Sequence, residues 1–170
     1  MNILYKNLLR EFDKFSLLKR ILFARICNRS GIYFGQPPII AYILDHDGCT
    51  QKDIADFLKV TPASIALSTK RLQKNGYIQK QPDEKNLRCN RLHLTPLGEK
   101  VIHEWKSGLD EVTEKMFAGF TDEELNTLCR YLERINDNSS EGKKIGSEYQ
   151  DFIALVNEAK LTEKEGMEND

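Results

Sequence analysis

The sequence predicts a mostly helical protein that contains one small β-hairpin, and two of its features lead to this prediction. Long amphipathic stretches with helical spacing lie on both sides of a central segment. That segment, residues 49–95, carries signals for two short helices, a strand, a charged tip and a second strand. This order is typical of a winged helix-turn-helix, a module whose second helix enters the major groove of DNA. The flanking helices would then join two copies of the chain.

The first amphipathic stretch covers residues 3–29 and predicts one long helix, because neither Pro nor Gly interrupts it. Its apolar residues recur at helical spacing and are Ile3, Leu4, Leu8, Phe12, Phe15, Leu18, Ile21, Leu22 and Ile26. Such a helix needs a large apolar partner, so we expect it to pack against a second subunit and the C-terminal helices. A break rich in Gly and Pro follows at residues 28–38, and then a helix of about two turns that ends at residues 45–48.

Capping residues predict the two short helices. Thr50 stands three residues before Asp53, which is the spacing of a capping box, so the first of these helices should begin near Gln51. Thr61 caps the second, and Pro62 occupies its first position, where a missing N–H group costs nothing. Three residues of the second helix should face the core, namely Ile65, Thr69 and Leu72. Asn and Gly at residues 75–76 end it.

The hairpin and the C-terminal helices complete the prediction. Strands are expected at residues 77–81 and 88–95, with a turn-rich tip at residues 82–86. Lys80, Lys85, Arg88 and Arg91 should surround this tip and reach the phosphates or the minor groove. A helix starts at residues 95–96 and carries an apolar seam, which consists of Leu97, Val101, Trp105, Leu109, Val112 and Met116. A capping box at residues 121–124 opens the next helix, residues 136–146 form a loop, and residues 149–161 suggest one more helix.

These elements divide the chain into three parts. We expect an N-terminal dimerisation helix at residues 1–35, a winged helix-turn-helix at residues 36–95, and C-terminal dimerisation helices with an extra terminal helix at residues 96–170. The net charge is only −1, but its distribution is uneven. Residues 60–95 hold seven Lys and Arg against two Asp and Glu, a balance of +5, whereas residues 96–170 balance at −9. The positive charge therefore lies on the segment predicted to touch DNA.

Composition and spacing exclude several other classes of protein. No apolar run approaches the roughly 18 residues of a membrane span, and the first residues do not form a secretory signal, so we expect a cytoplasmic protein. The four cysteines, Cys27, Cys49, Cys89 and Cys129, contain no C-x-x-C pair, so zinc is not expected. The histidines are scattered, and neither a G-x-S-x-G sequence nor a phosphate-binding glycine loop is present. We therefore predict no enzymatic activity, no cofactor and no metal.

The central segment resembles the MarR family, the multiple-antibiotic-resistance regulators. The resemblance covers roughly residues 10–137 and is carried by QKDIA at residues 51–55, VTPAS at 60–64, RLQKNGYI at 71–78 and LHLTPLG at 92–98. The family wing usually reads D-x-R-D-x-R; here Asp83 and Arg88 match it, while Lys85 and Asn86 depart from it. The resemblance implies a homodimeric regulator, a repressor in our interpretation, that binds double-stranded DNA at a near-palindromic site.

The predicted DNA contacts lie on the second short helix and the wing tip. They are Thr61, Ala63, Ser64, Ala66, Leu67, Lys70, Arg71, Lys74, Lys85 and Arg88. The resemblance further implies control by a small-molecule effector or an oxidant in a crevice between the dimerisation helices and the DNA-binding part. Tyr33, Phe34 and Tyr42 are the candidate ligand-binding residues, and Cys27, close to Arg25 and Arg29, is the candidate redox residue. The alternative is a winged helix that binds proteins and not DNA.

Overall fold

The computed structural model describes residues 2–83 and 86–140, and residues 86–88 by their backbone alone. In chain order its elements are α1 (Ile3–Arg29), α2 (Pro37–Asp45), α3 (Gln51–Leu58), α4 (Pro62–Lys74), β1 (Ile78–Asp83), β2 (Asn86–Leu94), α5 (Pro96–Met116) and α6 (Asp122–Ser139). The predicted fold class, mostly helical with a small hairpin, is confirmed. The helix predicted at residues 149–161 lies outside the described residues.

The caps form as the sequence predicts, and they fix where α3, α4 and α6 begin. The Thr50 hydroxyl accepts a hydrogen bond from the Asp53 backbone N–H at 3.2 Å, and the Asp53 carboxylate accepts one from the Thr50 N–H at 2.8 Å. This backbone hydrogen bond holds the pKa of Asp53 below its usual value. Thr61 caps α4 through the Ser64 N–H, and a second capping box opens α6 at Thr121.

One hydrophobic core joins α2, α3, α4, the hairpin and the adjoining parts of α1 and α5. Its fully buried large side chains are Ile40, Ile43, Ile54, Ile65, Leu72, Leu92 and Ile102. Burying each of them contributes on the order of 1.5–3 kcal/mol to the free energy of unfolding. Ile65, Thr69 and Leu72 are all buried, so the predicted core face of α4 is confirmed.

The strands of the hairpin are longer than the sequence suggests. β1 runs to Asp83 and β2 starts at Asn86, whereas we predicted a tip over residues 82–86. The prediction ended the first strand before Pro82, because proline lacks the backbone N–H group that donates a hydrogen bond to a neighbouring strand. It is tolerated here because β1 is an edge strand, and the pairing is irregular between Pro82, opposite Asn90, and Asp83.

α5 packs against the core with a narrower face than the predicted seam. Gly98, Val101, Ile102 and Gly108 are its buried positions, while Leu97 at the start of the seam is half exposed. Gly108 lies where α1 crosses α5, and a Cβ there would stand 3.0 Å from Cγ2 of Ile26. The close approach of α1 thus explains a glycine that propensity alone disfavours in a helix.

Large apolar surfaces of α1 and α6 are left uncovered by the other residues that the structure describes. Among the described residues, α6 buries none of its positions, and most of α1 before residue 26 is exposed. The exposed apolar residues of these two helices are Ile3, Leu4, Tyr5, Leu8, Leu9, Phe15, Leu17, Leu18, Ile21, Leu128, Tyr131, Leu132 and Ile135. Exposed apolar residues in such numbers are typical of a binding interface. No described helix is both long and apolar enough to span a lipid bilayer.

Gly98, in the first turn of α5, provides a test of this packing. A Cβ at Gly98 would lie 2.0 Å from the Tyr77 carbonyl oxygen, so Gly98→Ala forces the start of α5 away from the backbone at Tyr77. We expect it to lower the free energy of unfolding by about 1–3 kcal/mol, measured by urea denaturation. The control is Gly35→Ala, where a Cβ meets nothing within 4 Å. Equal denaturation midpoints for the two variants would contradict the packing described here.

Candidate nucleic-acid interface

The exposed side of α4 carries most of the predicted contact residues. Opposite its buried face, the helix and its cap expose eight of them: Thr61, Ala63, Ser64, Ala66, Leu67, Lys70, Arg71 and Lys74. Leu67 is 53% exposed although it is a large apolar residue. The structure therefore brings small, apolar and cationic side chains together on one solvent-facing helix surface. Such a surface can contact thymine methyl groups, base edges and phosphates.

A hydrogen-bonded threonine fixes how α4 sits against α3. The buried Thr69 hydroxyl donates to the Ile65 carbonyl oxygen at 2.8 Å, and it accepts a hydrogen bond from the Gln51 side-chain amide. Gln51 is the first residue of α3, so this bond links the two helices of the helix-turn-helix. Sequence reasoning did not identify Gln51. The signal that could have led to Gln51 was Thr69, a polar residue in the middle of the apolar face of α4, which needs a hydrogen-bond partner.

The connection between α3 and α4 contains one strained residue. Lys59 ends α3 with a φ of 52°, in the left-handed region that residues other than glycine seldom adopt. Its backbone N–H donates to the Ala55 carbonyl oxygen and so closes the last turn of α3. The turn is short, and Thr61, the cap of α4, comes two residues after Lys59.

Arg91, one of the cations predicted around the wing tip, forms hydrogen bonds within the protein. Its Nε donates to the Asp83 carboxylate at 2.7 Å, and its Nη1 donates to the Gly48 carbonyl oxygen at 3.2 Å. Asp83 is nearly buried, with 8% of its surface exposed. The Arg91 side chain is 45% exposed, so the guanidinium pairs with that carboxylate at the protein surface. The Arg91 side chain thus ties both strands of the wing to the loop before α3.

The other wing cations fall into two groups. Lys80 is partly buried, and this desolvation lowers the pKa of its ammonium group. Lys85 lies outside the described residues, and so does the side chain of Arg88. The expected roles of Lys85 and Arg88 in binding DNA therefore stay predictions.

Backbone hydrogen bonds attach the wing to the loop between α2 and α3. The Gly48 N–H donates to the Leu92 carbonyl oxygen at 2.9 Å, and the Leu92 N–H donates to the Cys49 carbonyl oxygen at 2.9 Å. Close to them, Nδ1 of His93 is 2.8 Å from a carboxylate oxygen of Asp47. The short bridge adds the chain before α3 to the edge of the sheet. The wing and the helix-turn-helix are thus connected by hydrogen bonds as well as by the core.

The three candidate ligand-binding aromatic residues have different neighbours. Tyr33 lies beside Arg71 of α4, and Phe34 lines a cavity of about 420 Å³ formed mainly by α1. Tyr42 stacks on the His46 ring, with centroids 4.2 Å apart, and also packs against Phe57 of α3. The structure therefore does not gather the three rings around one ligand-sized space in this conformation. Of the three, Phe34 is the residue that lines a described cavity.

The candidate redox residue lies in the core. Cys27 is 2% exposed, and burial raises the pKa of its thiol, although the neighbouring Trp105 side chain opposes that effect. Cys49 is also buried, and desolvation raises its pKa to about 11. Such surroundings favour the neutral thiol, which is less reactive than the thiolate. Within residues 2–83 and 86–140, no group of His, Cys, Asp and Glu side chains could hold a metal ion.

Comparison with known proteins gives a consistent result. The model of the MarR family matches residues 37–90. An uncharacterized HTH-type transcriptional regulator of Bacillus subtilis, YybA, is 34% identical over 104 residues, which are 61% of this chain and 69% of YybA. The HTH-type transcriptional regulator BilQ of Clostridium symbiosum is 28% identical over 74% of this chain and 90% of its own. The crystal structure of a MarR transcriptional regulator from Methanosarcina mazei Go1 superposes with a TM-score of 0.60 and 26% identity, covering 80% of this chain and 98% of that one.

The bonds of Arg91 lead to a prediction about the stability of the wing. Arg91→Gln removes the guanidinium partner of the nearly buried Asp83 carboxylate and should lower the free energy of unfolding by about 1 kcal/mol, since solvent partly screens the arginine. The control is Lys100→Gln, because the ion pair of Lys100 with Glu104 is exposed at both ends. Urea denaturation should show a lower midpoint for Arg91→Gln alone. An equal midpoint for both variants would refute the structural role of Arg91.

Proposed function

This chain belongs to the MarR family of transcriptional regulators, and we propose that it acts as a homodimeric repressor that binds a near-palindromic operator. The relatives described above are transcription regulators and not enzymes. The observation that carries the proposal is the exposed cationic side of α4, whose opposite side is held in the core by Ile65, Thr69 and Leu72. A recognition helix must present one face outward and keep it fixed, and α4 meets both requirements.

We assign the residues of this face according to their chemistry. Lys70, Arg71 and Lys74 would bind phosphates, because their charges lie in the last two turns of α4 and are exposed. Four smaller or apolar side chains would approach base edges and thymine methyl groups, namely Ala63, Ser64, Ala66 and Leu67. Thr61 stands at the start of the helix, where it can contact a phosphate. Lys85 and Arg88 would extend the contacts from the wing, with Arg88 in the minor groove.

Few long polar side chains are available on the part of α4 that would approach the bases. Ala63, Ala66 and Leu67 can make apolar contacts with a thymine methyl group, but they cannot form a bidentate hydrogen bond with a base. The shape and deformability of the operator should therefore contribute a large share of the specificity. The basic residues at the end of α4 and in the wing would sense that shape through the positions of the phosphates.

Dimerisation is supported by the uncovered surfaces of α1 and α6. Their exposed apolar residues include Leu8 of α1 and Leu132 of α6, which are 53% and 37% exposed. Burying such surface gains about 25 cal/mol per Å², so these helices favour a second copy over water. A two-fold axis would place two α4 helices about one DNA turn apart, roughly 34–36 Å, and so produce a near-palindromic site.

We further propose that a small ligand controls the operator affinity from the side of α1. The cavity lined by Leu17, Arg20, Ile21, Ala24 and Phe34 combines apolar walls with one guanidinium group. It lies on the proposed dimerisation helix and on the loop that leads to the DNA-binding part. A ligand there could change the separation of the two recognition helices.

Selection of bound sequences from a random DNA pool tests the central proposal. We expect a near-palindrome whose affinity for the purified protein falls steeply as the salt concentration rises. Lys70→Ala and Lys74→Ala should each reduce the slope of log K against log salt by about 0.9, and leave the preferred sequence unchanged. Lys106→Ala, an exposed change in α5, is the control. An affinity that does not depend on salt would instead support a winged helix that binds proteins.

Arg88→Ala tests the role of the wing. We expect it to weaken binding of the selected duplex by about 1–3 kcal/mol, because an arginine in the minor groove makes contacts that alanine cannot replace. Fluorescence anisotropy titrations at one fixed salt concentration measure this difference, again with Lys106→Ala as the control. Unchanged affinity of Arg88→Ala would remove this residue from the interface.

A further inference from the structure

A contact between Tyr33 and Arg71 joins the loop after α1 to the end of the recognition helix. The Cζ atom of Arg71 lies 5.5 Å from the centroid of the Tyr33 ring. A guanidinium within about 6 Å of a ring centroid is attracted by the negative face of the ring. We propose that Tyr33 is a positioning residue that holds Arg71 in the orientation in which it binds a DNA phosphate. This inference rests on the DNA-binding function proposed above.

The backbone of Tyr33 is itself held in place. Its N–H donates to the Gln36 side-chain oxygen at 2.9 Å, and the Gln36 N–H donates to the Tyr33 carbonyl oxygen at 2.8 Å. Gln36 is 2% exposed, so these reciprocal bonds are anchored in the protein interior. Tyr33 itself is 60% exposed, so this residue faces solvent while its backbone is held in place. Because its backbone is fixed, the Tyr33 ring can hold Arg71 in place while the guanidinium remains able to bind a phosphate.

A second contact attaches the same loop close to the same end of α4. The Tyr77 hydroxyl donates to the Gly31 carbonyl oxygen at 3.1 Å. Gly31 has a φ of +71°, and a Cβ there would stand 2.9 Å from the Tyr77 hydroxyl oxygen, so both backbone and space require glycine. Tyr77 follows directly after the turn that ends α4 and precedes β1. Two aromatic residues thus connect the loop after α1 with the C-terminal end of the recognition helix.

The geometry leaves Arg71 able to bind DNA while it rests on Tyr33. A guanidinium carries five N–H donors spread around its plane, so contact with one ring leaves donors that point elsewhere. An arginine that already occupies its bound orientation loses less side-chain freedom when it meets a phosphate. Tyr33 should therefore increase DNA affinity only through Arg71, with no requirement for its own contact to DNA.

A double-mutant cycle on the full chain tests this dependence. The probe is the duplex recovered by the selection experiment, and the affinity is measured by anisotropy at fixed salt. We expect Tyr33→Ala to weaken binding about two- to fivefold, and Tyr33→Phe to keep the wild-type affinity because it retains the ring. In an Arg71→Ala background, Tyr33→Ala should have no further effect. Lys106→Ala, an exposed change in α5 that lies outside both α4 and the uncovered apolar surfaces of α1 and α6, is again the control.

The possible results separate this inference from the proposed function. Wild-type affinity for Tyr33→Ala would overturn the role of Tyr33, and so would a two- to fivefold loss that persists without Arg71. Urea denaturation of each variant shows whether it is folded, and recovery by Tyr33→Phe shows that the ring itself acts. If the wild-type protein binds no duplex, the proposed function fails and the inference fails with it. If the wild type binds and the cycle shows no coupling, only the inference fails.

Discussion

The burial of one side of α4 is the constraint on which its exposed cationic surface depends. Ile65 and Leu72 are almost completely enclosed in the core, and Thr69 between them is bonded to the Ile65 carbonyl oxygen and to Gln51 of α3. A shift of one residue around the helix would turn it by roughly 100°, expose Leu72 and separate Thr69 from Gln51. The contacts that stabilise the helix-turn-helix are therefore also the contacts that decide which side chains point outward. Apolar packing supplies most of the stabilisation, and the polar pair defines the orientation of α4.

The positive charge of the central segment is divided among residues with different tasks. Arg91 is bonded to Asp83 and to the Gly48 carbonyl oxygen, so much of its charge is compensated within the wing. Lys70 and Lys74 stand in solvent on α4, and Arg71 lies over the Tyr33 ring. A count of lysines and arginines therefore overstates the charge that a DNA molecule would meet. What matters is which cations already have a partner in the folded chain.

The two ends of α1 meet different surroundings. Its C-terminal end is buried at Ile26 and Cys27, where it crosses α5 beside Gly108, whereas its N-terminal half exposes apolar residues such as Leu4 and Leu8. α6 likewise exposes apolar side chains that no other described part of the chain covers. In the homodimer that we propose, α1 would connect the subunit interface to the loop that contacts α4. A change in the packing of α1 would then reach Arg71 through a short and continuous path of contacts.

The sequence by itself determined the elements that depend on neighbours along the chain. Thr50 with Asp53, Thr61 with Pro62, and Thr121 with Glu124 predicted where α3, α4 and α6 begin, because a cap involves residues only three apart. The apolar spacing of α4 predicted its buried face for the same reason. The prediction was wrong at Pro82, where the general effect of proline on strands was outweighed by the edge position of β1.

How the cations and aromatic residues pair with their neighbours is visible only in the folded chain. Arg91 was predicted beside the wing tip, and the fold bonds it to Asp83 and Gly48, which are 8 and 43 residues away in the sequence. Tyr33 was grouped with Phe34 and Tyr42 as a ligand-binding residue, yet in the fold it lies beside Arg71. Composition and periodicity could not distinguish these outcomes, because a charged or aromatic side chain on a surface has several partners of similar energy. The fold selects one of them by bringing distant segments within the few ångströms over which such contacts act.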